Sequence, residues 1–174
     1  MRWFYRWCLA FLALTLLSIV LASSYLELSL EDIFEKADMA FEAKVLTSTV
    51  ELIDDKPWTK VEFSVVSVFK GELGKETSLS FYGGNHDSIS LQVTGMPRFM
   101  EGEDLLIFAY KDRYYSPLVG FSQGLFRSRV GGWQNEAGKY LQADEAKNLS
   151  LGDSVVDSKL VLEALRDFYA RRAE

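Results

Sequence analysis

Six apolar residues in succession, Leu105 to Tyr110, are the feature that most restricts how this chain can fold. The turn-rich stretches Gly95-Met96-Pro97-Arg98-Phe99 and Glu101-Gly102-Glu103 precede them, and Lys111-Asp112-Arg113 follows. Successive side chains of a strand point to opposite faces, so a strand built from Asp104 to Tyr110 must be covered by protein on both. The run is too short for a stable helix and is bounded by turn formers on either side. It therefore predicts a central strand, and the rest of the chain must supply what covers it.

The flanking segments read as one-sided strands. Phe41, Ala43 and Val45 alternate with Glu42 and Lys44 between Met39 and Leu52, and Asp54-Asp55-Lys56-Pro57 reads as a turn. From Thr59 to Phe69, Val61, Phe63 and Val65 share one phase and Val66 and Val68 the other. That slip predicts a β-bulge at Val65-Val66, with Phe63 and Val68 both buried. Further strands are expected at Thr77–Phe81, Ile89–Val93, Tyr114–Val119 and Leu125–Val130, with a short edge at Tyr140-Leu141 and a loop at Gly83–Asp87. Ser29 followed by Asp32 makes a capping pair for a short helix reaching Ala37. Near the other end, Ser154–Asp157 reads as a cap, and Val156, Leu160, Leu165, Phe168 and Tyr169 recur at helical spacing. Strands separated by turn signals, with no helix between them, argue for an antiparallel sandwich or barrel. The expected fold is mainly β: a small antiparallel OB-like barrel, partly open, of five strands or slightly more, with a short N-terminal helix and a C-terminal helix.

Residues 1–24 carry Arg2 and Arg6, a nearly continuous apolar run from Leu9 to Ala22, and Ser23-Ser24. This is the pattern of a signal peptide ending at residue 22, or of an uncleaved N-terminal anchor. The expected division is 1–22 leader, 23–38 connecting segment with its helix, 39–145 barrel, and 153–172 amphipathic helix packed on the barrel. Either fate of the leader places the body outside the cytoplasmic membrane, in the periplasm or beyond, with membrane contact only through the N-terminal segment. All 25 acidic residues lie in the body but only 17 of the 19 basic ones, so the body carries −8. Nucleic acid is thereby disfavoured, since phosphate binding needs a basic face. The only cysteine, Cys8, is in the leader, leaving the body no disulfide or thiolate chemistry.

Two strings invite a catalytic reading. Gly120-Phe121-Ser122-Gln123-Gly124 matches the nucleophile-elbow pattern, which requires a helix after the serine and a histidine later in the chain. Here a strand pattern follows, and the sole histidine, His86, comes earlier. His86 beside Asp87 suits base or metal work, but one histidine without cysteine makes a poor zinc site. Asp54 and Asp55 offer carboxylates alone. Glu101, Glu103 and Asp104 read as solvated turn residues that keep sheet edges from pairing. No catalytic residue, metal or cofactor is expected.

Three stretches carry a resemblance: Ala37 to Val45 at the helix-to-strand junction, Val65 to Gly71 at the end of the second strand, and Phe99 to Phe108 running into the centre. In this order they resemble the netrin-like module, the OB-type barrel of the tissue inhibitors of metalloproteases, and are similar to exported bacterial proteins of the same layout. The resemblance implies a non-enzymatic binding module of the cell envelope, with an exported protein or protease as partner. The inhibitors of that family place a disulfide-pinned amino-terminal cysteine on a protease zinc, and this body has no cysteine, so the inhibitor role rests on fold analogy. Two other readings stay open: a small exported hydrolase using Ser122 or His86, and a structural envelope protein. For a binding module the working surface is expected at loop ends bearing aromatic anchors. Trp58, Tyr82, Tyr114 and Tyr115 are the candidates.

Overall fold

The computed structural model describes residues 26–112 and 114–172, so the leader and its cleavage position lie outside the described residues. Helix α1 spans Leu30–Lys36, followed by β1 (Met39–Ile53), β2 (Lys56–Lys70), β3 (Glu76–Tyr82), β4 (Gly84–His86) and β5 (Ile89–Leu91). Then come β6 (Asp104–Ala109), β7 (Leu125–Arg129), β8 (Gly132–Asn135), β9 (Tyr140–Ala143), β10 (Leu149–Gly152) and helix α2 (Ser158–Ala170). The protein is mainly β. Eight strands form one antiparallel sheet in the order β10-β9-β8-β7-β6-β1-β2-β3, and β4 and β5 pair separately. The large sheet is not closed: β10 and β3 end the order.

The apolar run forms β6, in the middle of the sheet, and Leu105 to Ala109 are fully buried. Its two phases serve two cores. Leu106 and Phe108 join Phe34, Phe126, Trp133 and Leu141 beneath Val161, Ala164, Leu165 and Tyr169 of α2. Leu105, Ile107 and Ala109 point the other way, into Phe41, Val45, Val61, Phe63, Leu79 and Phe81. Met96 and Phe99 pack against this second cluster from the loop before β6. The helices therefore cover one face, and the curled β1-β2-β3 half with its loop covers the other.

The slip in β2 is a bulge. Ala43 lies opposite Val65 and Glu42 opposite Ser67, so Val66 is the extra residue and is 60% exposed. Phe63 is buried as expected, but Val68 is 39% exposed. A second shift between Ala40 and Phe41 makes Phe69 the next extra residue. Phe69 packs against the helical cluster, whereas Val68 pairs across the strands with Phe41 and stays partly exposed.

Other expectations need adjustment. Tyr114–Val119 is no strand, making only the isolated Leu118–Ala109 bridge, because Pro117 and the glycine turn after it interrupt pairing. Gly84–His86, expected as loop, is β4. Lys56 and Pro57 already belong to β2, leaving Asp54-Asp55 as a two-residue turn in the left-handed region (φ 52° and 58°). β9 is not an edge, since β10 lies outside it.

Ser29 caps α1 by accepting from the Asp32 amide at 3.1 Å. Asp157 caps α2, so this helix starts later than Ser154 suggested. The two helices are tied by the buried Tyr169 hydroxyl, which donates to the Phe34 carbonyl at 3.0 Å. Burial pushes that phenol well above its ordinary range. Among the described residues no helix is long and apolar enough to cross a membrane.

Candidate aromatic interaction site

Trp58 lies near the start of β2 and Tyr82 ends β3. The β2–β3 register that sets Thr59 against Phe81 brings these neighbours together, with ring centroids 5.1 Å apart, edge to face. A third ring arrives from the segment after β6. The Tyr82 amide donates to the Tyr115 carbonyl at 2.8 Å, setting the Tyr115 ring 4.8 Å from Tyr82 and 6.3 Å from Trp58. Against Trp58 the planes differ by only 10°. Trp58 and Tyr82 are half-buried and Tyr115 is 63% exposed. Tyr114 does not join them: it pairs with Tyr110 at 5.0 Å and is 50% exposed. Three of the four sequence candidates thus share one cluster assembled from three segments.

Two glycines shape the ground beside it. Gly83 and Gly84 have φ of +105° and +140°, and a Cβ on Gly84 would lie 2.8 Å from Val50 Cγ2 and 2.9 Å from Thr59 Oγ1. Only a residue without a side chain lets β4 lie so close to the β1–β2 hairpin. The Thr59 hydroxyl donates to the Gly83 carbonyl at 2.7 Å and pins that bend. Tyr82, Gly83, Gly84, Leu91, Met96 and Arg98 contribute to a groove of about 390 Å³ adjoining the cluster.

The catalytic strings are brought to different uses. Ser122 sits in a tight turn that passes straight into β7, with the Gly124 amide bonded to the Val119 carbonyl at 2.8 Å. It borders a cavity with Arg98, Arg127 and Glu136, whose lining does not include His86. The His86 Nδ1 is 3.5 Å from Asp87 Oδ2 on the β4–β5 hairpin. The neighbouring Gln123, which the motif reading passed over, accepts from the Leu28 amide at 2.8 Å and donates to the Leu26 carbonyl at 3.0 Å. Its carboxamide clasps the segment leading into α1 as an adjacent strand would. Among the described residues no group of three His, Cys, Asp or Glu is placed to hold a metal.

Glu103 corrects the expectation of a solvated turn acid. Its side chain is 8% exposed and accepts from Arg127 at 2.6 Å, from Arg129 at 3.4 Å and from the Met100 amide at 3.1 Å. Arg127 also reaches Glu136 at 3.1 Å and the Arg98 carbonyl at 2.6 Å, so one guanidinium ties the loop carrying Phe99 to β7. Asp104 pairs with Lys44 at the surface, 3.2 Å away, and Glu101 is exposed. No family model matches this chain, and neither a curated protein nor a solved structure matches it.

Proposed function

We propose that this protein is an exported, non-enzymatic binding module of the cell envelope, and that it holds a partner protein through the Trp58-Tyr82-Tyr115 cluster. The observation that carries the reading is convergence: three aromatic side chains from three segments meet at one end of the sheet, and the outermost is 63% exposed. Large amphipathic rings held by a rigid scaffold are the usual anchors of protein interfaces. The partner is an exported protein or protease, the protease by analogy with netrin-like OB-type barrels. The bulged β1–β2 pair and the Tyr82–Tyr115 bond, which draws the end of β3 toward the segment after β6, support that likeness.

The test is recovery of a partner from the envelope fraction, followed by affinity measurement with the purified pair. Trp58→Ala should weaken binding by about 1–2 kcal/mol, roughly 5- to 30-fold, with thermal unfolding still cooperative and the protein folded at the assay temperature. Unaltered affinity would remove the cluster from the interface. Turnover of ester or peptide substrates, abolished by Ser122→Ala or His86→Ala in a folded protein, would replace the binding reading with a hydrolase.

A further inference from the structure

The outer edge of β3 is built to receive another strand. The amide of Val65 donates to the carbonyl of Lys75 at 2.8 Å, and that of Gly83 to the carbonyl of Pro57 at 2.9 Å. The first bond continues the β2–β3 register that pairs Thr59 with Phe81 and Phe63 with Thr77, whereas the second belongs to a parallel bridge between Gly83 and Trp58, where the chain leaves the ladder. In an antiparallel ladder, residues that exchange bonds alternate with residues whose N–H and C=O point away from the partner. The backbone groups of Thr77, Leu79 and Phe81 therefore face β2, and those of Glu76, Ser78, Ser80 and Tyr82 face outward.

Tyr82 confirms the phase, because its amide already donates outward to Tyr115. For Glu76, Ser78 and Ser80 no outward backbone partner is present among the described residues. Natural edges are usually blunted by central charges, proline, a bulge or a covering element. Here Thr77 to Phe81 carries no charge and no proline, the exposed Glu76 places the strip's one charge at its start and not its centre, the β2–β3 register is unbroken, and Ser78 is exposed.

We propose that β3 takes an extended segment of a partner polypeptide as an added strand along Glu76–Ser80, with a large apolar side chain of that segment packed on Tyr82 and Tyr115. This rests on the binding-module reading and supplies its mode: main-chain bonds along the edge, and side-chain anchoring at the aromatic end. A strand of a partner is favoured over a second copy of this chain for reasons of size. Five edge residues make a strip about 17 Å long, and the bond to Tyr115 stops self-pairing from extending further. Such a strip alone falls short of the roughly 1,000 Å² that a stable interface buries. A segment that also covers the aromatic cluster gains the missing contact.

The experiment is selection of random nine-residue peptides displayed on phage against the full-length chain. Enriched peptides should bind wild type and lose at least tenfold in affinity with Ser78→Pro and with Ser80→Pro. Both substitutions remove only an outward N–H, a position where edge strands tolerate proline, so thermal unfolding should remain cooperative. Should either variant unfold, the ligand side decides. Methylating alternate backbone amides of a selected peptide should abolish binding in one phase and spare it in the other. Peptides that lose affinity with Trp58→Ala but bind both proline variants at wild-type strength would keep the aromatic site and overturn strand addition. Failure to enrich any peptide would overturn it too, as would a dimer of the chain itself that Ser78→Pro dissociates.

Discussion

Glu103 is where one substitution should report on the whole support of the second core. Its carboxylate is almost out of water and accepts a charge-assisted bond of 2.6 Å from Arg127 and one of 3.1 Å from the Met100 amide. Glu103→Gln keeps the shape but removes the charge and, with its one oxygen kept toward Arg127 and the Met100 amide, turns its N–H₂ toward the Arg129 guanidinium. Breaking a buried ion pair from one side costs about 3–5 kcal/mol. Two features reduce that figure: Arg127 keeps Glu136 and the Arg98 carbonyl, and the weaker third contact comes from an Arg129 side chain that is 44% exposed. We expect a loss of about 2–3 kcal/mol, in line with hydrogen bonds to charged groups at about 1.5–3 kcal/mol each. In urea denaturation the midpoint should fall while the slope is retained. Melting should drop by about 4–12 °C for a domain of this size. Glu136→Gln is the internal control. Its side chain is 47% exposed, so it should cost under about 1 kcal/mol. If Glu103→Gln were within about 0.5 kcal/mol of wild type, or no worse than Glu136→Gln, the loop would be held by Phe99 packing and not by this carboxylate.

Asp55→Gly should raise stability by about 0.5–1 kcal/mol, read as a higher urea midpoint, because Asp55 sits at φ 58° in a two-residue hairpin turn that favours glycine there. Tyr169→Phe should lower it by about 1–2 kcal/mol in the same assay, since the buried Phe34 carbonyl loses the hydroxyl that joins the two helices. Glu42 lies half-buried near Ser67 and Arg166, and desolvation raises its carboxyl above the ordinary value of 4.5. A folded-state value above the unfolded one means the charged form is penalised on folding. That penalty is absent below the unfolded value and complete once pH has risen through the folded one. Glu42→Gln should therefore raise the melting temperature at pH 7 by more than at pH 4, and an equal difference at both would refute the assignment.

The central strand was legible because a run apolar in both phases has only one solution in a sheet, and Leu105 to Ala109 are buried on both sides. The bulge at Val66 was legible for the same reason, as a conflict between phase and burial. Val68 was misread because a second bulge, at Phe69, depends on what α2 offers across the sheet. β8 and β10 escaped notice because Gly132–Asn135 and Leu149–Gly152 have little alternation of their own and owe their order to neighbours. At the candidate site, Trp58 and Tyr82 were visible as aromatics beside turns. Their convergence with Tyr115 was not, since it depends on the amide of Tyr82 reaching a carbonyl 33 residues further on. Glu103 looked like a solvent-facing acid among acids, and its partner Arg127 is too distant in sequence for local patterning to register.

Because β6 serves both cores, neither can close before residue 109 has been made. A ribosome-bound chain that has completed β1, β2 and β3 holds Phe41, Phe63 and Phe81 without the wall supplied by Leu105 and Ile107. Helix α2, some 50 residues later, needs Leu106 and Phe108 from the same strand before it has a floor to pack on. One short segment in the middle of the chain thus couples the two halves. Loosening the helical side loosens the curled side, and the protein is expected to melt in a single step, without a stable half-folded form. The late arrival of that segment also means that a long stretch of chain with high β propensity waits uncovered during synthesis, the condition under which strand-rich proteins pair wrongly.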